Sequence, residues 1–184
     1  GAHFTPRAYV ERLVRPTLEE PLRAEWLVVR AESRLLIERS IGKSAGEAKK
    51  DETAALAVLK DFHTRLCKIR VLDPACGSGN FLYVALDLMK QLEGEVLDEI
   101  GRVGGAQSER LELDAITITP RQFLGIEKKP WAKEIAELVI WIGFLRWQWR
   151  LRGTTVIGDG PILEDAKNIE CRDAVLDWDG APYE

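Results

Sequence analysis

The run Asp73-Pro74-Ala75-Cys76-Gly77-Ser78-Gly79 constrains this chain more than any other segment. Before it, Ile69-Arg70-Val71-Leu72 is short and β-prone; after it, Asn80 to Leu92 is apolar at helical spacing. A strand that passes through a small-residue turn directly into a helix is the building unit of a parallel α/β sheet. Glycines at 77 and 79 supply the freedom a sharp turn needs and let a ligand approach the main chain closely. The N–H groups at the start of the following helix can receive a carboxylate.

Two more strand signals follow. Gln122 to Ile126 is succeeded by Pro130 at a helix start and by an apolar run from Trp131 to Trp149, as expected of a helix that covers a sheet. Helical spacing makes Trp141, Trp147 and Trp149 packing residues. Asn168 to Cys171 is the third short strand, ending at Asp173. Residues 94–120 carry four glycines and many acids, which predicts an inserted helix or loop, and 153–167 read as a loop. Upstream, Thr5-Pro6 opens a short helix that Pro16 should end. Thr17 and Glu20 have capping-box spacing for a second helix, with Leu22, Trp26, Val29, Leu36 and Ile37 near one face and Gly42 closing it. Residues 43–50 read as an exposed loop before a helix over 54–66. The expected division is a helical segment, 1–67, followed by a partial Rossmann-like domain of three parallel strands with flanking helices, 68–184.

Composition removes several classes of function. With 184 residues, 46% hydrophobic and 30% charged, the chain has material for one cored domain and is neither disordered nor a disulfide scaffold. No window approaches 18 uninterrupted apolar residues and no basic, apolar leader opens the chain, so no membrane association and a cytoplasmic location are expected. Cys67, Cys76 and Cys171 lack metal-ligand spacing and only two histidines accompany them, so free thiols and no metal are expected. Residues 1–70 hold 14 basic against 10 acidic side chains, and residues 71–184 hold 12 against 20. A surface for DNA phosphates would therefore come from the basic first third or from sequence elsewhere.

Each predicted strand ends in an acid: Asp73, Glu127 and Asp173. Parallel sheets bind ligands outside the carboxyl ends of their strands, so three acids should line one crevice. A phosphate-rich nucleotide would be repelled there. A ligand with an ammonium, a ribose and a neutral adenine offers each acid a partner, which points to S-adenosylmethionine. The competing motifs fail. Leu82 stands where a dinucleotide fingerprint after Gly77 and Gly79 needs a third small residue, and Gly42-Lys43-Ser44 lacks the first glycine and the preceding strand of a phosphate loop.

These residues resemble a known family. Asp73-Pro74-Ala75-Cys76-Gly77-Ser78-Gly79-Asn80-Phe81 is similar to the cofactor motif of N6-adenine DNA methyltransferases, and His3-Phe4-Thr5-Pro6 resembles the upstream motif of their gamma arrangement. Phe4 to Val10, Gly125-Ile126-Glu127 and Cys171-Arg172-Asp173-Ala174 look most like the bifunctional restriction–modification branch, types IIG and IIL. The resemblance implies that Asp73 and the Ala75 to Gly79 turn hold the methionine moiety of the cofactor. It assigns the ribose hydroxyls to Glu127, the adenine amino group to Asp173, apolar walls to Ile126 and Ala174, and closure of the pocket to Phe4, Thr5 and Pro6. Double-stranded DNA is the implied partner.

The catalytic Asn-Pro-Pro-aromatic motif of that family occurs nowhere in these residues, so no catalytic residue is assigned. The chain is expected to be an excised half-domain that binds cofactor without methylating DNA, and to self-associate through an exposed sheet edge. An amino methyltransferase acting on RNA or protein, and a non-catalytic scaffold with this fold, are the alternative readings.

Overall fold

A computed structural model describes residues 5–105, 116–152 and 168–176. Their contacts form two compact units that interleave along the chain: Gly1–Arg15, Arg70–Leu88 and Thr119–Glu184 make one, Pro16–Ile69 and Met89–Ile118 the other.

The first unit contains the sheet. Strands β1 (Val71–Asp73), β2 (Phe123–Glu127) and β3 (Ile169–Cys171) are parallel and lie in that order. Asp73 is level with Gly125, Gly125 with Ile169, and Glu127 with Cys171. Asn168 fixes the entry to β3. Its side-chain Nδ2 donates to the carbonyls of Pro120 and Phe123 at 3.1 and 2.7 Å, while its main-chain carbonyl accepts from the Gly125 N–H. Helix α1 (Arg7–Val14) buries Val10 and Val14. Helix α4 (Asn80–Gly104) contributes its first nine residues to this unit.

Helix α5 (Pro130–Arg152) packs on β2 and β3. Ala132, Ala136, Ile140 and Phe144 are its buried face. Of Trp141, Trp147 and Trp149, expected to be packing residues, the last is corrected: Trp149 is 68% exposed, on a face it shares with Trp131, Leu138 and Ile142. A helix that is apolar all round leaves its sequence silent about which face the sheet selects.

The second unit is helical. Helices α2 (Glu20–Ser40) and α3 (Ala45–Leu66) pack together around Leu22, Trp26, Ala55, Leu59 and Phe62, with the Trp26 and Phe62 rings stacked at 5.5 Å. Pro16 does not end the first helix as predicted. The chain widens into a π-helical turn, Arg15–Glu19, and continues into α2, because a wider turn tolerates the missing proline N–H. The capping-box arrangement of Thr17 and Glu20 is accordingly absent, since Glu19 at the start of α2 is itself helical and makes no side-chain cap. The predicted loop over 43–50 is likewise mostly helix. Ser44 adopts the extended conformation of an N-cap and α3 begins at Ala45. Residues 94–104, predicted as an insertion, continue α4 without a break. The expected loop over 153–167 lies outside the described residues.

The described arginines of this unit are all ion-paired, Arg102 among them with Glu99. Arg23 pairs with Glu19 and Glu95, Arg30 and Arg34 with Glu99, Arg39 and Lys43 with Asp51, and Arg65 with Glu25 and Asp61. Part of the positive charge of the first third is thus engaged with acids of the same unit. Lys43 and Ser44, the end of the phosphate-loop imitation, serve an ion pair and a helix start.

Candidate functional site

All the described residues that the sequence assigns to the cofactor lie in the first unit, with Asp73 and Glu127 at the carboxyl ends of its strands. The turn after β1 is built by its own backbone. Asp73 Oδ1 accepts the Ala75 N–H at 3.0 Å, Cys76 N–H donates to the Ile126 carbonyl at 3.0 Å, and Gly79 N–H donates to the Cys76 carbonyl at 2.8 Å. Gly77 and Gly79 have φ of 55° and 78°, the left-handed region that disfavours side chains. They differ in purpose. A Cβ on Gly79 would stand 3.0 Å from the Ala136 backbone, so this glycine lets α5 close on the turn; a Cβ on Gly77 would meet nothing within 4 Å, so that side of the turn is open to a ligand.

Glu127, at the end of β2, faces the same turn. Its Oε2 accepts the Gly77 N–H at 3.0 Å and its Oε1 accepts the Lys129 N–H at 2.8 Å. A carboxylate has about four acceptor positions, so these two bonds orient it and leave capacity for hydroxyl donors. Asp173, beyond β3, accepts the Val175 and Leu176 N–H groups at 2.9 and 3.2 Å and the Lys128 ammonium at 3.2 Å. The two backbone donors, aided by Lys128, hold its carboxyl below the usual range and keep it ionised. Strand order sets the three acids along one edge in the sequence Asp73, Glu127, Asp173.

The upstream segment joins this group. Asn80 Nδ2 donates to the Thr5 carbonyl at 2.7 Å, so Asn80 is engaged with the chain itself. Thr5 is half-buried and Pro6 exposed; Phe4 lies outside the described residues. Pro74 and Ala75 are exposed, Ser78, Phe81 and Ala174 half-buried, and Ile126 buried. Cys76 is buried. Burial, with Asp73 and Glu127 adding repulsion, pushes its thiol up to about 12, which removes it as a nucleophile.

Three features of this edge are invisible in the sequence: Lys128 against Asp173, Gly125 beneath Cys76, and the Arg7–Asp87 ion pair at 2.7 Å. A Cβ on Gly125 would lie 2.6 Å from Cys76 Sγ. No local pattern marks any of them.

One His, Cys and carboxylate cluster occurs among the described residues, in the helical unit: His63, Cys67 and Glu93. Glu93 there bonds Lys90, accepts Thr117 Oγ1 at 2.9 Å and the Ile118 N–H at 2.8 Å, and lies 3.3 Å from His63 Nε2. Its lone pairs and charge are already satisfied within the protein. This cluster is a buried network that ties the approach to β2 onto α4.

The family model of the MmeI DNA-methyltransferase domain matches residues 44–182, about three quarters of the chain and every strand of the sheet. The chain belongs to the MmeI DNA-methyltransferase domain family. DNA methyltransferase A of Bacillus subtilis is 31% identical over 123 residues, 65% of this chain and 13% of that protein. A putative type II restriction enzyme and methyltransferase of Methanocaldococcus jannaschii is 28% identical over 124 residues, 66% of this chain and 10% of that protein. The solved type IIL restriction-modification enzyme MmeI, in complex with DNA, superposes with a TM-score of 0.69 at 25% identity, over 96% of this chain and 21% of its own. This member of the MmeI family therefore spans a small part of the length of the relatives it matches. Its three parallel strands and flanking helices are a partial Rossmann-like methyltransferase fold.

Proposed function

We propose that this chain is the S-adenosylmethionine-binding part of a site-specific DNA adenine-N6 methyltransferase from a restriction–modification or phage-defence system. The observation that carries the reading is the Gly77–Glu127 hydrogen bond. It couples a glycine turn open on its ligand side to a carboxylate that retains acceptor capacity. Membership of the MmeI DNA-methyltransferase domain family supports a DNA acceptor in the longer protein.

The donor set fits this cofactor. The turn and the start of α4 suit the methionine carboxylate, Asp73 its ammonium, Glu127 two ribose hydroxyls, and Asp173 the adenine amino group, with Ile126 and Ala174 beside the base. When bound, the cofactor supplies an electrophilic methyl group on a sulfonium. The residues of this chain bind and orient that donor; they hold no Asn-Pro-Pro segment with which to grip an extruded adenine, so methyl transfer by this chain alone is not expected. The double-stranded DNA contacts and the choice of base belong to the longer protein. Its compartment is the cytoplasm, where a restriction–modification enzyme meets DNA, and no described helix is long and apolar enough to cross a membrane.

Isothermal calorimetry with S-adenosylmethionine tests the reading. Saturable binding that is lost when Glu127 and Asp73 are both replaced by Ala supports it. No binding at millimolar ligand favours a non-catalytic scaffold, and methyl transfer to DNA by this chain would overturn the assignment of catalysis to absent residues.

A further inference from the structure

Asn80 and Asp87 are seven residues apart on α4, two helical turns, so their side chains leave one face of the helix. Both hold the N-terminal segment that carries Thr5 and Arg7. Asn80 Nδ2 donates to the Thr5 carbonyl at 2.7 Å, and Asp87 Oδ2 accepts from Arg7 Nη2 at 2.7 Å. The other oxygen of Asp87 accepts the indole N–H of Trp147 in α5 at 2.9 Å. The Asp87 side chain is only 9% exposed, and its carboxylate is fixed between two helices before it meets Arg7.

Val10 and Val14 are buried, so α1 has apolar anchors besides the ion pair. Arg7 is the first residue of α1, where the helix dipole disfavours a cation and where no acid occupies the first turn. A guanidinium at that position is explained by its partners, Asp87 and Glu11. What the pair fixes is the end of α1 from which residues 5 and 6 project, and Asn80 grips that projection next to the Gly77–Gly79 turn.

We propose that Asp87 is a positioning residue for cofactor binding: braced by Trp147, it holds Arg7 so that Thr5-Pro6 closes over the methionine end of S-adenosylmethionine. Asn80 is the second anchor. The inference rests on the cofactor reading above and deepens it. The methionine end is the part affected because the start of α4, which receives the carboxylate, is also the residue that binds Thr5.

The test compares two ligands on the chain as it stands. S-adenosylmethionine carries the methionine end and 5′-methylthioadenosine lacks it. Dissociation constants are measured for the wild type, Arg7→Met, Asp87→Asn and the double variant, with thermal unfolding recorded for each. The expected result is a loss of about tenfold for S-adenosylmethionine in either single variant, as for a charge-assisted hydrogen bond. The double variant should be no worse than the weaker single one, Arg7→Lys should recover part of the loss, and 5′-methylthioadenosine should bind all four within twofold. Equal losses for both ligands would mean general destabilisation and would overturn the proposal, as would unchanged S-adenosylmethionine affinity in both single variants. If the wild type binds neither ligand, the cofactor reading itself fails and takes the proposal with it; wild-type binding with insensitive variants sinks the positioning role alone.

Discussion

The Glu127 carboxylate accepts the Gly77 N–H at 3.0 Å, joining residues 50 positions apart. Through this bond the end of β2 sets the orientation of the turn that follows β1. The same bond fixes the carboxylate's rotamer, which under the proposed cofactor reading would lower the entropy lost on binding a diol.

Replacing Glu127 by Ala should weaken S-adenosylmethionine binding by roughly 1.5–3 kcal/mol, the worth of a hydrogen bond to a charged group. Calorimetry reads the change. An unaltered dissociation constant would show that the site lies elsewhere.

Gly125→Val should destabilise the first unit by about 1–3 kcal/mol through overpacking. Its Cβ would stand 2.6 Å from Cys76 Sγ and 2.8 Å from Ile169 Cδ1. Urea unfolding measures the loss, and pairing the milder Gly125→Ala with Cys76→Ala should recover stability if the thiol is the obstacle.

The helical unit should lose stability in acid. Burial raises the pKa of Glu93, but hydrogen bonds and charge from His63, Lys90 and the Ile118 amide outweigh it, so the folded pKa lies below the ordinary 4.5. A depressed folded pKa contributes stability that is fully present above the unfolded value and is lost as pH falls through the folded one. Thermal unfolding followed between pH 6 and pH 3 should therefore show a decline beginning near pH 4.5. In Glu93→Gln that decline should shrink; an identical profile would remove Glu93 as its source.

Among the described residues β1 is an edge strand, and Leu72 within it is 58% exposed. An unpaired apolar edge invites pairing with another chain. Sedimentation should show concentration-dependent association that Leu72→Lys reduces, and a monomer at every concentration would count against this.

Much of the fold is legible in local patterns. The strand before Asp73, the turn through Gly79 and the helix from Asn80 follow from β-prone residues, glycines and apolar spacing within a few positions of one another. The strand ends at Glu127 and near Asp173 are visible for the same reason. Pro16 and residues 43–50 mislead because local propensity is weak there: packing of α2 and α3 through Trp26, Leu59 and Phe62 rewards helix over a proline and a polar stretch alike.

By itself the sequence determines an acid at each strand end and a glycine turn beside the first. Only the tertiary structure decides what those groups touch. Glu127 finds Gly77, Cys76 sits over Gly125, and Asp87 collects Arg7 and Trp147 from two other helices. These contacts span from about 50 to 80 positions of sequence, and nothing in the chain near either partner encodes the other. Their geometry arises when β1 and β2 pair and the helices close on the sheet, because polar groups withdrawn from water must then find their partners among the groups that packing brings within reach.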